Sequence, residues 1–169
     1  MRKVEYVGRV PIIPLSKLLN PYYRDEEDLD EATKEIYAWG RVCHRIIQRS
    51  LSTDWQSEVR CIWPQTDTLR RSIGLPFFIS FHPDLFNEQT GEVIEIKSSN
   101  LEDGSEKEQA VLQLSSYANF LHAKKAYLLY YEVKEVRREE VEIVPIDRLK
   151  PIWLEGFKTL VKLGRVILK

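Results

Sequence analysis

Cysteine is nearly absent. Cys43 and Cys61 are the two in 169 residues, and neither belongs to a Cys-x-x-Cys pair. The chain therefore offers no disulfide framework and no cysteine set for structural zinc or an iron–sulfur cluster. Long apolar runs are also missing, since none approaches the roughly 20 residues of a membrane span. The start, Met1 to Glu5, is charged with no apolar stretch behind it, so it does not read as a targeting segment. The expectation is a soluble, cytoplasmic protein with no membrane partner. An excess of one charge is lacking as well: 25 Lys and Arg stand against 26 Asp and Glu, a formal net charge of -1. Bulk electrostatics thus does not mark a nucleic-acid binder. Nor is there a repeat or low-complexity tract.

What remains is the composition of a folded globular chain, 43% hydrophobic and 30% charged with 7 Gly and 8 Pro. The length suits one domain, residues 1–169. Pro11 to Tyr23 opens with turn chemistry, and Ser16 can cap a short helical turn before Pro21. Arg24 to Asp30 reads as a charged loop. Ile36, Trp39, Cys43, Ile46, Ile47 and Leu51 recur at three- and four-residue spacing, which predicts a long amphipathic helix from Glu31 to about Leu51, capped by Asp30 or Thr33. Ser57 to Trp63 and Leu75 to Phe81 read as strands joined by a longer turn. A turn at Asn87 to Gly91 separates Asp84 from a strand containing Glu95. A helix over Glu106 to His122, strands at Ala126 to Val133 and Val141 to Val144, and a helix from Asp147 to Leu163 complete the pattern.

The chemistry concentrates in His82-Pro83-Asp84 and, after ten intervening residues, Glu95-Ile96-Lys97. A hairpin would bring these segments together. Strand alternation sends Val93, Glu95 and Lys97 to one face, and Ile94 and Ile96 to the other. Two carboxylates with an ammonium beside them can hold a hard divalent cation against a phosphodiester, with the Ile96 carbonyl as a further ligand. The lysine can orient an attacking water or stabilise growing phosphoryl charge. The same pattern also fits a solvated hairpin with an ordinary cross-strand ion pair.

Four motifs in order extend it: Gly40 to His44 in the first long helix, Asp84, Glu95-x-Lys97, and Gln113 to Tyr117 in the next helix. Together they resemble the PD-(D/E)xK nuclease superfamily, and within it the RecB-like and Cas4-like branch. That resemblance implies an α/β (α+β) fold with a restriction-endonuclease-like core, a mixed central β-sheet flanked by helices. It implies an enzyme, a Mg²⁺- or Mn²⁺-dependent deoxyribonuclease, exonuclease-like on single strands or duplex ends. His44, Asp84, Glu95 and Ile96 would be metal ligands and Lys97 the catalytic lysine, while Gln113 and Tyr117 would line the DNA-facing side. Glu58 is a second acidic candidate, equally readable as an exposed strand carboxylate, and His82 is left without a role.

The chain departs from the Cas4-like pattern in lacking its four cysteines, so no iron–sulfur cluster is expected, and it departs from the RecB-like pattern in carrying no helicase motif. Two other functions fit the residues: a catalytically silent nuclease-fold subunit that binds DNA or assembles with partners, and a structure-selective junction resolvase. Arg41, Arg45, Lys97, Lys107, Lys124 and Lys125 are candidates for a basic rim, and Tyr22, Tyr23 and Trp55 for stacking on unpaired bases. A homo-oligomer or a larger repair or recombination assembly is compatible with the apolar C-terminal helix.

Overall fold

Alternating β-branched and aromatic runs build two separate four-stranded sheets in the computed structural model, which describes residues 3–22, 28–51, 53–98, 104–131 and 136–169. Each sheet belongs to its own compact unit. The architecture is mixed α+β, with helices flanking both sheets.

The first unit holds strands β1 (Glu5–Val7) and β2 (Val10–Pro14), helix α1 (Leu15–Leu19), and, later in the chain, β3 (Cys61–Trp63), α3 (Asp67–Ile73), β4 (Phe78–Phe81) and α5 (Ile146–Lys162). Its sheet runs β1-β2-β4-β3, with β2 and β4 parallel and the outer pairs antiparallel. Pro11 and Pro14 do not prevent β2 from forming. The expected turn before Ser16 is therefore a strand in its first half, and α1 starts from Pro14 with no side-chain cap.

Between β3 and β4 lies a helix where a turn was expected. Thr66 caps α3 by accepting from the Leu69 amide, and Gly74, in the left-handed region at φ 82°, ends it. Arg70 then fastens α3 to the next strand. It donates to Asp67 Oδ1 and to the Leu75 carbonyl, and its guanidinium lies over the Phe78 ring.

Helix α5 buries Trp153, Phe157 and Leu160 in this unit, which accounts for its apolar surface. It begins after Pro145, not at an Asp147 cap. Asp147 sits instead in the first turn, where a carboxylate suits the positive end of the helix.

The second unit holds α2 (Glu31–Ser50), β5 (Leu85–Asn87), β6 (Glu92–Ser98), α4 (Gly104–Leu121), β7 (Lys125–Tyr131) and β8 (Val136–Val141). Its sheet runs β5-β6-β7-β8, parallel at β6 and β7 and antiparallel elsewhere. The last strand thus precedes its expected place at 141–144, and residues 57–60 are not a strand. Asp30 caps α2 by accepting from the Thr33 amide at 2.8 Å.

One face of this sheet collects Leu85, Ile94, Ile96, Tyr127 and Leu129, with Ile47, Leu51, Trp55 and Tyr131 packed against them. Each large side chain fully buried there contributes about 1.5–3 kcal/mol. Helix α4 packs along β6 and β7. The expected division of β6 holds, with Ile94 and Ile96 in this core cluster and Lys97 reaching α4.

Candidate functional site

The β5–β6 hairpin is closed by Asn87, whose Oδ1 accepts from the amides of Gln89 and Thr90, and by Gly91 at φ 69°. Its register pairs Leu85 with Ile94. One step further, Asp84 comes beside Glu95, and Asp84 Oδ2 accepts from the Ile96 amide at 2.7 Å. Gln48, one turn beyond His44 on α2, donates to the Asp84 carbonyl at 3.1 Å. The segment before β3 is fastened to the same hairpin by Gln56, paired with Phe86, and by the Glu58 amide, which donates to the Pro83 carbonyl at 3.1 Å.

These ties converge on a cluster. Among the described residues, one donor atom each from His44, Glu58 and Asp84 lie within 4.8 Å of one another. His44 Nδ1 stands 3.8 Å from Asp84 Oδ1, too far for a hydrogen bond. Burial pushes the imidazole below its ordinary pKa despite the nearby Glu95 carboxylate, so it is neutral at pH 7 and has a lone pair to give. The Tyr131 ring meets it edge-on at 6.1 Å between centroids. Glu58 has φ 51°, a left-handed conformation uncommon for a side chain of this size, which the hydrogen bond its amide donates to the Pro83 carbonyl helps to hold.

Beside the cluster, a second chain of contacts runs from β6 into α4. Lys97 Nζ is 3.1 Å from Glu95 Oε1 and donates to Gln113 Oε1 at 3.3 Å, and Gln113 Nε2 donates to the Tyr117 hydroxyl at 2.7 Å. Burial, with the adjacent Asp84 carboxylate adding to it and Lys97 opposing, pushes Glu95 up to about 8. Burial likewise takes Asp84 to about 6, opposed by the Ile96 amide and Lys97. For Lys97, burial favours the neutral amine, but Glu95 and Asp84 outweigh it and keep the ammonium charged. Tyr117, 4% exposed, is raised well above 10 by burial and stays protonated.

The sequence-predicted residues therefore gather in one place, with two differences of role. Tyr117 is buried, so its hydroxyl reaches the site through Gln113 and Lys97 and not as a surface that lines a strand. Ile96 contributes its amide to Asp84, in addition to any part its carbonyl takes. Glu58, a second candidate in the sequence, joins His44 and Asp84 in the three-donor cluster, while Glu95 stands next to it. Gln48 went unread, although its position four residues after His44 puts it on the same helix face.

His82 is exposed and belongs to the first unit, as does Tyr22. Tyr23 lies outside the described residues. Trp55 packs against the core cluster, and Lys107 is engaged with Glu139 at 2.8 Å.

The donor set suits a divalent cation. His44, Glu58 and Asp84 cluster, and Glu95, paired with Lys97, stands beside Asp84, the hard oxygen-rich surroundings that Mg²⁺ or Mn²⁺ takes. Glu95 Oε2 is buried with no donor among the described residues, and Glu95 and Asp84 share a side-chain hydrogen bond when one of the two is protonated. A buried acceptor of this kind is costly unless a donor or a cation meets it.

No family model matches the chain, and no curated protein does. In fold it is similar to the crystal structure of SSO0001, with a TM-score of 0.61 and 16% identity over 90% of this chain and 78% of that one. At that identity the likeness establishes architecture alone.

Among the described residues, no helix is long and apolar enough to cross a membrane.

Proposed function

We propose that the second unit carries a divalent-metal-dependent nuclease site that hydrolyses DNA phosphodiester bonds, acting on single strands or ends. The observation that carries this reading is the buried pair Asp84 and Glu95 with Lys97 at 3.1 Å and one Glu95 oxygen unmatched. Such a pair is expensive to maintain unless it has a cationic partner. A structural ion pair with Lys97 would need one carboxylate, and here there are two.

Asp84, His44 and Glu58 would hold Mg²⁺ or Mn²⁺, with Glu95 beside them. When bound, such an ion lowers the pKa of a water and neutralises phosphoryl charge. The protein's own part is positioning. The Ile96 amide fixes Asp84 Oδ2, and the neutral His44 presents a lone pair. Lys97, charged and 29% exposed in its side chain, is placed to meet a phosphate oxygen or orient a water. Gln113 and Tyr117 restrict where the Lys97 ammonium can go, which makes them positioning residues.

Incubation of end-labelled single- and double-stranded DNA with Mg²⁺ or Mn²⁺ tests this reading. Cleavage by the parent that is lost in Glu95→Gln and in Lys97→Ala, both shown to be folded, supports it. A folded, metal-supplied parent that cuts none of these substrates refutes it.

A further inference from the structure

Helix α2 has an apolar stripe that its own unit does not use. Toward the sheet it presents Ile47, packed on the core cluster, with His44 and Gln48 reaching Asp84 on the same side. Ile36, Trp39, Val42 and Ile46 form a separate stripe, centred roughly 140° around the helix at 100° per residue, with Ile36 on the edge nearest Ile47. They are 68, 69, 43 and 63% exposed, and no residue of α2 is fully buried. A row of exposed aliphatic and indole side chains along one helix marks a surface that meets a partner.

The charges beside the stripe indicate which partner. Glu35, Val42 and Arg49 are seven residues apart, so they form one edge of the stripe with an acid at one end and a base at the other. Turned end for end, that edge complements itself. In an antiparallel pair about a two-fold axis, Val42 meets its own copy and Glu35 lies beside the partner's Arg49. Ile36 then faces the partner's Ile46, and Trp39 faces the partner's Cys43. A parallel pair would instead set Glu35 against the partner's Glu35 and Arg49 against the partner's Arg49, which like-charge repulsion disfavours. The 20 residues of α2 span about 30 Å, long enough for two such ion pairs to bracket an apolar centre.

We infer that the protein forms a two-fold dimer through antiparallel α2 helices, with Trp39 at the interface and Glu35–Arg49 pairs setting the direction. This pairing does not depend on the nuclease reading, because it uses a different side of α2 from His44.

Sedimentation velocity of the full chain over a range of micromolar concentrations tests it, with circular dichroism confirming the helix content of each variant. The parent should sediment as a dimer and Trp39→Glu as a monomer. Glu35→Arg and Arg49→Glu should each weaken the dimer by roughly tenfold, since each acts at both symmetry-related pairs. The double exchange Glu35→Arg with Arg49→Glu should restore it. A parent that is monomeric throughout overturns the inference, as does a folded double exchange no tighter than the single ones. A monomeric parent that floats with phosphatidylserine vesicles, and ceases to in Trp39→Glu, would overturn it in favour of a lipid surface.

Discussion

The backbone amide of Ile96 donates to Asp84 Oδ2 at 2.7 Å, across a hairpin whose register sets Leu85 opposite Ile94. This bond links the first acidic residue of the site to the strand that bears the second acid and the lysine. It makes the carboxylate a fixture of the sheet as well as a member of the proposed metal site.

The two roles separate by mutation. Asp84→Ala leaves the buried Ile96 amide without its acceptor and should cost about 1–3 kcal/mol of stability. Asp84→Asn keeps an acceptor for that amide and should fold nearly as well, yet lose metal-dependent cleavage. Chemical denaturation and a cleavage assay on both variants check this, and equal loss of stability in the two would contradict it.

Metal-free stability should fall as the pH rises toward alkaline values. Burial raises Glu95 to about 8 and Asp84 to about 6, above their ordinary 4.5 and 3.8. The folded state thus keeps protons that the unfolded chain has released, and it loses stability progressively between about pH 4 and pH 8. Thermal unfolding in chelator at pH 5 and pH 8 should show the decline, and Glu95→Gln should flatten it. Added Mn²⁺ should restore most of the stability at pH 8.

Tyr117→Phe should lower kcat more than it raises KM, by roughly 3- to 10-fold, because it releases Gln113 and through it Lys97. A positioning role also predicts a shifted pH profile for cleavage as the surroundings of Lys97 change. An unchanged pH profile would leave Tyr117 a packing residue only.

Much of this site could be read from the chain. The Asn87 to Gly91 turn and the period of two in β6 place Asp84 against Glu95 and Lys97, and the four-residue spacing of Gln113 and Tyr117 puts them on one face of α4. The spacing of α2 predicts the helix, and of its two candidate caps, Asp30 and Thr33, Asp30 is the one that caps it. The spacing did not give the packed face, because periodicity reports an apolar stripe and not what covers it, and Ile36, Trp39 and Ile46 are exposed. Glu58 was hard to assign since its left-handed backbone breaks the strand its neighbours suggest. Helix α3 was legible in principle from Thr66 and Gly74 but is short, and prolines obscured β2.

In the first unit, Gly156→Ala should be strongly destabilising. A Cβ at that position would collide with the Leu18 carbonyl where α1 and α5 cross, a backbone contact that no rotamer change relieves. We expect a loss of more than about 2 kcal/mol in urea unfolding. A loss no larger than that of an exposed helical substitution would show that the helices can move apart.

The central claim, that His44, Glu58, Asp84 and Glu95 form one divalent-metal site, is tested most directly by titrating the metal-free chain with Mn²⁺ and following free Mn²⁺ by electron paramagnetic resonance. The account predicts saturable binding that disappears in folded Asp84→Asn and weakens in His44→Ala. Binding that is absent from the parent, or unchanged in Asp84→Asn, would contradict it.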